Sequence, residues 1–111
     1  MEINTTQLKR CDLIALSGRF DSAAAPALDQ AFAQSNERGT YRIVLDMSGV
    51  EYFGSAAIRS LVLAYKACRR FNRGDVILAA VPPKIKQVFD LTGISPLVNI
   101  HDDVVTAVGS F

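Results

Sequence analysis

Residues 41–58, YRIVLDMSGVEYFGSAAI, contain the clearest passage from strand to helix in the chain. The aliphatic run IVL within this segment is typical of a strand that is covered on both faces. We predict the strand at Tyr41–Met47, a break at Ser48-Gly49, and a short irregular connection at Val50–Gly54. A helix then begins near Ser55.

The helix predicted from Ser55 to about Asn72 has one apolar stripe, because its apolar residues recur at spacings of three and four. Arginines crowd its carboxyl-terminal end, where the helix dipole favours positive charge, and Gly74 stops it. We favour a solvated helix end for this basic cluster over a site for RNA or anionic lipid. The predicted stripe consists of Ile58, Leu61, Val62, Tyr65 and either Ala64 or Cys68.

Two short strands are predicted near the start of the chain, at Ile3–Leu8 and Asp12–Leu16. A turn at Lys9-Arg10 would join them as an antiparallel hairpin. A loop at Gly18–Asp21 follows the second strand. This loop leads into an alanine-rich region that we predict to be the first helix.

The first helix has a start and a stop signal. Asp21 or Ser22 would cap its start, because their short side chains accept hydrogen bonds from free backbone N–H groups. Pro26 suits only the first turn, since it has no N–H to donate. Gly39 ends the helix, as expected of a residue that adopts positive φ at little cost.

The remaining segments predict strands and helices in alternation. Ile85, Val88, Phe89 and Thr92 are predicted to line the inner face of the third helix. The predicted elements are a strand at Asp75–Val81, a helix from Pro83 to Gly93, a strand at Leu97–Ile100, and a short helix with Val104, Val105 and Val108 that Asp102 or Asp103 caps.

The order β-β-α-β-α-β-α-β-α indicates an α/β fold with a mixed, mostly parallel sheet, because parallel strands need helix-length connections. We expect about five strands and about four helices, with an antiparallel hairpin at the N-terminal end. With 111 residues, half of them hydrophobic, the chain suits a single domain over residues 1–111.

Composition excludes several classes of function. The net charge is +1, without the concentrated basic patch of a nucleic-acid-binding protein. No signal peptide or membrane-spanning segment is evident, so we expect a cytoplasmic protein without direct membrane insertion. Cys11 and Cys68 are expected to be free thiols. No metal-ligand cluster, phosphate loop or nucleophile motif is present, so we predict no metal, no cofactor and no enzymatic activity.

Three segments, in this order, resemble the STAS domain family. Gly18-Arg19-Phe20-Asp21, followed by Ala25–Leu28, resembles that family's entry into its first helix. Val44–Val50 is similar to its central strand, and Tyr52–Ile58 occupies the place of its switch loop. The resemblance covers essentially the whole chain and implies a STAS fold of the anti-sigma-factor-antagonist type.

This resemblance implies a regulatory function. Such antagonists bind an anti-sigma factor with a histidine-kinase-like ATPase domain, which frees the sigma factor for transcription. Phosphorylation of a serine in the switch loop ends that interaction. The alternative is a non-catalytic STAS subunit docked on the ATPase of an ABC-type lipid transporter. We expect a monomer or a weak dimer.

The switch loop departs from the family pattern, which usually reads Asp-Ser-Ser-Gly. This chain has Gly54-Ser55-Ala56-Ala57, so Ala56 stands at the usual phosphoacceptor position and has no hydroxyl. Two interpretations remain open: the protein stays permanently competent to bind, or Ser55 is the modified residue. Ser55 also suits the role of helix N-cap, which contributes about 1 kcal/mol.

The predicted partner-binding surface combines the switch loop, the start of the second helix and the loop before the first helix. Asp21 is either a contact or a helix cap, and Arg19 is either a contact or a solvated charge. Two adjacent aromatics cannot both face the core of a regular strand, so one of them is expected to be exposed. The candidate contacts are Arg19, Asp21, Tyr52, Phe53, Gly54, Ser55, Ala56, Ala57, Ile58 and Arg59, with Val62 beside them.

Overall fold

The computed structural model describes residues 1–71 and 74–111 and places their strands in one sheet of order β1-β2-β3-β4-β5. The β1–β2 pair is antiparallel, and the three other pairs are parallel. The predicted mixed sheet with an N-terminal hairpin is therefore confirmed. The strands are β1 Glu2–Gln7, β2 Asp12–Phe20, β3 Arg42–Phe53, β4 Asp75–Ala79 and β5 Ile100–His101.

Helices cover both faces of the sheet, as the buried strands require. One face carries Ile43 and Leu45 and packs against the first three helices in the larger core. The other face carries Val44 and Ile77 and packs against the last helix in a smaller core. The helices are α1 Ala25–Glu37, α2 Ser55–Arg69, α3 Pro83–Thr92 and α4 Val104–Gly109.

The strands β2 and β3 both run further than predicted. Residues Gly18–Phe20 and Val50–Phe53, predicted as a loop and an irregular connection, extend the ladder, which shifts register between Ala15 and Ser17 and again at Gly18. Gly49, predicted as part of a break, allows the close approach of the two strands: a Cβ there would lie 2.8 Å from the Cβ of Ser17. Gly49 therefore supplies space within the sheet.

The buried face of α2 differs in part from the predicted stripe. Leu61, Ala64 and Cys68 are buried as predicted, whereas Ile58, Val62 and Tyr65 are only partly buried. Ala57 and Ser60 complete the buried face, so small residues bring this helix close to its neighbours. The helix ends at Arg69, and the predicted end at Asn72 lies, with Arg73, outside the described residues.

The C-terminal part differs from the predictions in the inner face of α3 and in the bounds of β4 and β5. Val88 is exposed, and so is Thr92, because only Ile85 and Phe89 face the core from α3. Strand β4 ends at Ala79 instead of Val81, and β5 is Ile100–His101 instead of Leu97–Ile100.

Helix α4 is capped by Asp103, one of its two predicted caps. The Oδ1 of Asp103 accepts a hydrogen bond of 2.7 Å from the Thr106 amide. This hydrogen bond lowers the pKa of the Asp103 carboxyl below its usual value. The helices formed by residues 1–71 and 74–111 include none with both the length and the apolar character needed to cross a membrane.

Candidate functional site

The two predicted loops of the site are joined at the carboxyl ends of β2 and β3. In the parallel ladder Arg19 pairs with Tyr52, and Phe20 pairs with Phe53. The amide of Gly54 then donates a hydrogen bond of 2.9 Å to the Phe20 carbonyl. The sheet therefore brings the two segments together, as the sequence predicts, although they are over 30 residues apart.

The adjacent aromatics Tyr52 and Phe53 point to opposite sides of β3. Phe53 is 2% exposed and packs against Phe20 and Phe89, with ring centroids 6.0 and 5.8 Å away. Tyr52 is 42% exposed. The expectation that one of the pair is exposed is confirmed. Phe53, predicted as a contact, instead anchors the end of β3 in the core.

Tyr52 is held by its neighbours at the surface. The Arg19 guanidinium lies 4.7 Å from the centre of the Tyr52 ring, which is a cation–π contact. A Cβ on Gly54 would come within 2.9 Å of the Tyr52 hydroxyl. Gly54, where the family usually has aspartate, therefore leaves room for this ring.

Helix α2 begins immediately after Gly54 and lacks a side-chain cap. Gly54 is the N-cap residue, and its carbonyl accepts the first helical hydrogen bond from Ile58 at 3.0 Å. Ser55 is the first residue of the helix, so the prediction that Ser55 caps it is wrong. The amides of Ser55, Ala56 and Ala57 precede that first hydrogen bond and have no partner within the helix.

The predicted contact residues divide by exposure. Ser55 and Arg59 are exposed, and Ala56 and Ile58 are half-buried. Gly54 and Ala57 are buried, so neither offers a side chain to a partner. Phe53, Gly54 and Ala57 lie beneath the exposed surface, because the inward-facing residues of β3 and α2 pack into the core.

Asp21 organises the turn that enters α1. Its Oδ1 accepts hydrogen bonds of 3.1 Å from the amides of both Ala23 and Ala24. The helix starts at Ala25, with Pro26 in its first turn. The N-cap residue of the helix is Ala24, without a side-chain cap, so the prediction that Asp21 or Ser22 caps the helix is wrong. The Asp21 carboxylate instead closes the turn just before the helix, and it remains exposed at the surface.

A groove of about 580 Å³ separates the first turns of α1 and α2. Asp29 and Arg59 bring opposite charges to it, and Leu63 is 54% exposed. Asp29 and Leu63 were not predicted as site residues from the sequence. Leu63 could have been found, because an apolar residue that lies off the predicted buried stripe of α2 is expected to be exposed. We call this groove the docking groove, and its lining includes Ser22, Pro26, Asp29, Ser55, Arg59 and Leu63.

The family model of the STAS domain matches residues 2–107. The chain belongs to the STAS domain family. The docking groove and the exposed Tyr52 thus lie at the start of the second helix of a STAS domain.

The STAS domain is similar to proteins of two kinds. A protein of Bordetella bronchiseptica named as an anti-sigma factor antagonist, BtrV, is 27% identical over 110 residues, covering 96% of this chain and 94% of that protein. An anti-sigma factor antagonist from Mycobacterium paratuberculosis has a crystal structure with a TM-score of 0.88 at 22% identity, covering 98% and 92%. The STAS domain of a SulP transporter from Vibrio cholerae has a TM-score of 0.71 at 19% identity, covering 95% and 83%.

Proposed function

We propose that this STAS domain is a non-catalytic, protein-binding regulator of the anti-sigma-factor-antagonist type. Its partner would be an anti-sigma factor with a histidine-kinase-like ATPase domain. The observation that carries the proposal is the exposed surface made by Tyr52, Ser55 and the docking groove where β2 and β3 end. Its relatives include proteins named as antagonists over nearly the full chain.

The chemistry of this surface suits a protein partner. Tyr52 offers a large aromatic side chain, fixed by Arg19, at little cost in conformational entropy. Leu63 adds apolar area, while Asp29 and Arg59 supply charges of both signs for orientation. General acid–base catalysis would instead need two titratable groups that face one cavity, whereas the residues that line this groove include one carboxylate, Asp29, and no histidine.

The residue at the usual phosphoacceptor position supports a protein that can bind its partner at all times. Ala56 stands at the usual acceptor position and has no hydroxyl. Ser55 is exposed and does not serve as a cap, so its hydroxyl is the one that a kinase would reach in this loop. We expect no phosphate incorporation when the protein is incubated with the partner kinase and ATP, because a kinase that positions residue 56 for transfer finds alanine there, and Ser55 lies one residue away. Phosphate at Ser55, found by mass spectrometry and abolished in Ser55→Ala, would contradict permanent competence.

The substitution Ser55→Asp tests the docking surface. We expect binding to the purified anti-sigma factor to weaken at least about tenfold, because the new charge must be desolvated in the interface. Folding should persist, since an acid in the first turn of a helix is favourable by roughly 0.3–1 kcal/mol. Isothermal titration calorimetry measures the binding, and urea unfolding measures the stability.

Thr106→Asp is the matched control, because Thr106 is exposed in the first turn of α4, on the opposite face of the sheet. We expect this variant to bind as the unchanged protein does. Unchanged binding of Ser55→Asp would refute the surface assignment.

A second candidate is a STAS subunit docked on the ATPase of an ABC-type lipid transporter. The observation that favours this function is Ala56, because a subunit that is not switched needs no acceptor hydroxyl. Affinity purification of the tagged protein from its own cells separates the two candidates. Recovery of a transporter ATPase in place of an anti-sigma factor would select the second.

A further inference from the structure

We propose that two copies of this chain associate through the free edge of β1, which forms a two-fold dimer with a continuous sheet. This interface lies on the far side of α1 from the docking groove and is independent of the proposed function.

Strand β1 is a regular edge strand without the usual protection. It is the first strand in the sheet order, and its register with β2 is continuous over all six residues. Edge strands are commonly blocked by proline, lysine, bulges or short length, because their free N–H and C=O groups would pair with another strand. Glu2–Gln7, sequence EINTTQ, has none of these features and is mostly exposed.

The charge distribution along β1 suits antiparallel pairing with an identical strand. Glu2 is its only charged residue and lies at one end. A two-fold axis at Thr5 would place the two Glu2 residues roughly 20 Å apart, at a rise of about 3.3 Å per residue. The two Thr5 residues would then oppose each other at the axis, and directly opposed threonines are a favourable cross-strand pair.

The face of α1 beside β1 is uncharged and self-complementary. A shallow groove there is lined by Met1, Ile3 and Thr5 on the strand side and by Ala27, Gln30, Ala31 and Gln34 of the helix. The helix residues fall at spacings of three and four and so share one face. Two antiparallel copies of α1 would meet along this face, and each glutamine amide can both donate to and accept from its counterpart. This match favours a second copy over an extended peptide, which would cover the edge alone.

The acidic residues of α1 are compatible with this arrangement. Asp29 lines the docking groove on the other side of the helix. Glu37 is the last residue of α1, so an antiparallel pair places its two copies at opposite ends of the interface. The dimer would therefore present two docking grooves, both open to partners.

Analytical ultracentrifugation tests the dimer directly. We expect the chain, of mass 12.0 kDa, to approach twice that mass as its concentration rises to several hundred micromolar. Thr5→Lys should shift the dissociation constant upward at least about tenfold, because it places like charges close to the axis. Thr106→Lys, which adds the same charge on the far side of the sheet, should leave it unchanged.

Two further variants keep the proposal falsifiable. Gln30→Lys probes the helix face without touching the strand and serves if Thr5→Lys does not fold. Thr5→Cys should give an intermolecular disulfide under mild oxidation, while Thr106→Cys should not. A chain that stays monomeric at several hundred micromolar, or a dimer that neither lysine variant weakens, would overturn the proposal. An extended partner peptide as the natural occupant of the edge would give the first of these results.

Discussion

At the scale of single residues, Tyr52 and Gly54 lie close together at the start of α2, so a side chain at residue 54 would press against the Tyr52 ring. A Cβ at residue 54 would lie 2.9 Å from the Tyr52 hydroxyl, and Arg19 stacks on the same ring. The glycine that replaces the usual family aspartate is therefore coupled to an exposed aromatic side chain. In this chain the surface beside the switch position is aromatic where the family usually has an acid.

Asp12 is a second residue whose role depends on distant partners. It is 2% exposed and accepts a hydrogen bond of 2.6 Å from the Ser35 hydroxyl. The Arg38 guanidinium forms an ion pair with the same carboxylate oxygen. These contacts fix the end of α1 to the start of β2, at the opposite end of both elements from the docking groove.

Ser35→Ala should lower the free energy of unfolding by about 1–2 kcal/mol, because it removes one hydrogen bond from a buried carboxylate. Urea unfolding followed by circular dichroism measures the change. Ser48→Ala, at an exposed serine, should stay within about 0.5 kcal/mol. Equal stabilities for the two variants would show that the hydrogen bond from Ser35 to Asp12 contributes nothing.

At the scale of elements, the site depends on how β3 passes into α2. The strand continues to the buried Phe53, the chain turns at Gly54, and the helix starts at Ser55 without a capping side chain or an acid in its first turn. The positive end of the helix dipole is therefore exposed next to the docking groove. An acidic group on a partner would be favoured at this position.

The connection from α2 to β4 imposes a separate constraint through Gly74. A Cβ there would meet the carbonyl oxygens of Cys68 and Tyr41, the latter at 2.5 Å. Gly74→Ala should therefore destabilise the fold by at least about 2 kcal/mol, because backbone atoms cannot move away cheaply.

Gly109→Ala is the matched control for Gly74→Ala, since a Cβ at Gly109 would meet nothing within 4 Å. Thermal unfolding should give this control a Tm equal to or above that of the unchanged protein. A Tm for Gly74→Ala as high as that of the control would contradict the close packing of this connection.

At the scale of the whole molecule, the sheet separates two cores of different size. The larger core lies under α1, α2 and α3, and Cys68 belongs to it. The smaller core lies under α4 and includes Cys11. Both thiols are free and buried, and burial raises the pKa of each above its usual value. The rate at which each thiol reacts with a reagent therefore measures how often the core on its own face of the sheet opens.

Both cysteines should react with a thiol reagent at pH 8 only as fast as the protein opens. Ellman's reagent measures this rate, and an added Thr106→Cys should react at once because Thr106 is exposed. Rapid labelling of Cys11 alone would show that α4 opens independently.

Since both thiol pKa values are raised in the folded state, unfolding should become easier as the pH rises above about 8.5, where the unfolded thiols ionise.

Much of the fold could be predicted because its signals are local. The continuous apolar runs of β3 and β4, the spacing in α2, and the glycines at the helix ends report on hydrogen bonding and periodicity within a few residues. The ends of β2 and β3 could not be predicted, because Ser48-Gly49 reads as a turn until the neighbouring strand is present. The ladder with β2 supplies the hydrogen bonds that carry β3 past this point.

The sequence by itself determined the order of the strands and helices, the family, and the identity of the residues in the switch loop, including Ala56. Only the tertiary structure decided which residues of that loop face solvent. Phe53 is buried because Phe20 and Phe89, which are distant in the chain, pack around it, while Tyr52 takes the opposite side of the strand. Exposure depends on contacts between distant segments, and no local pattern encodes those contacts.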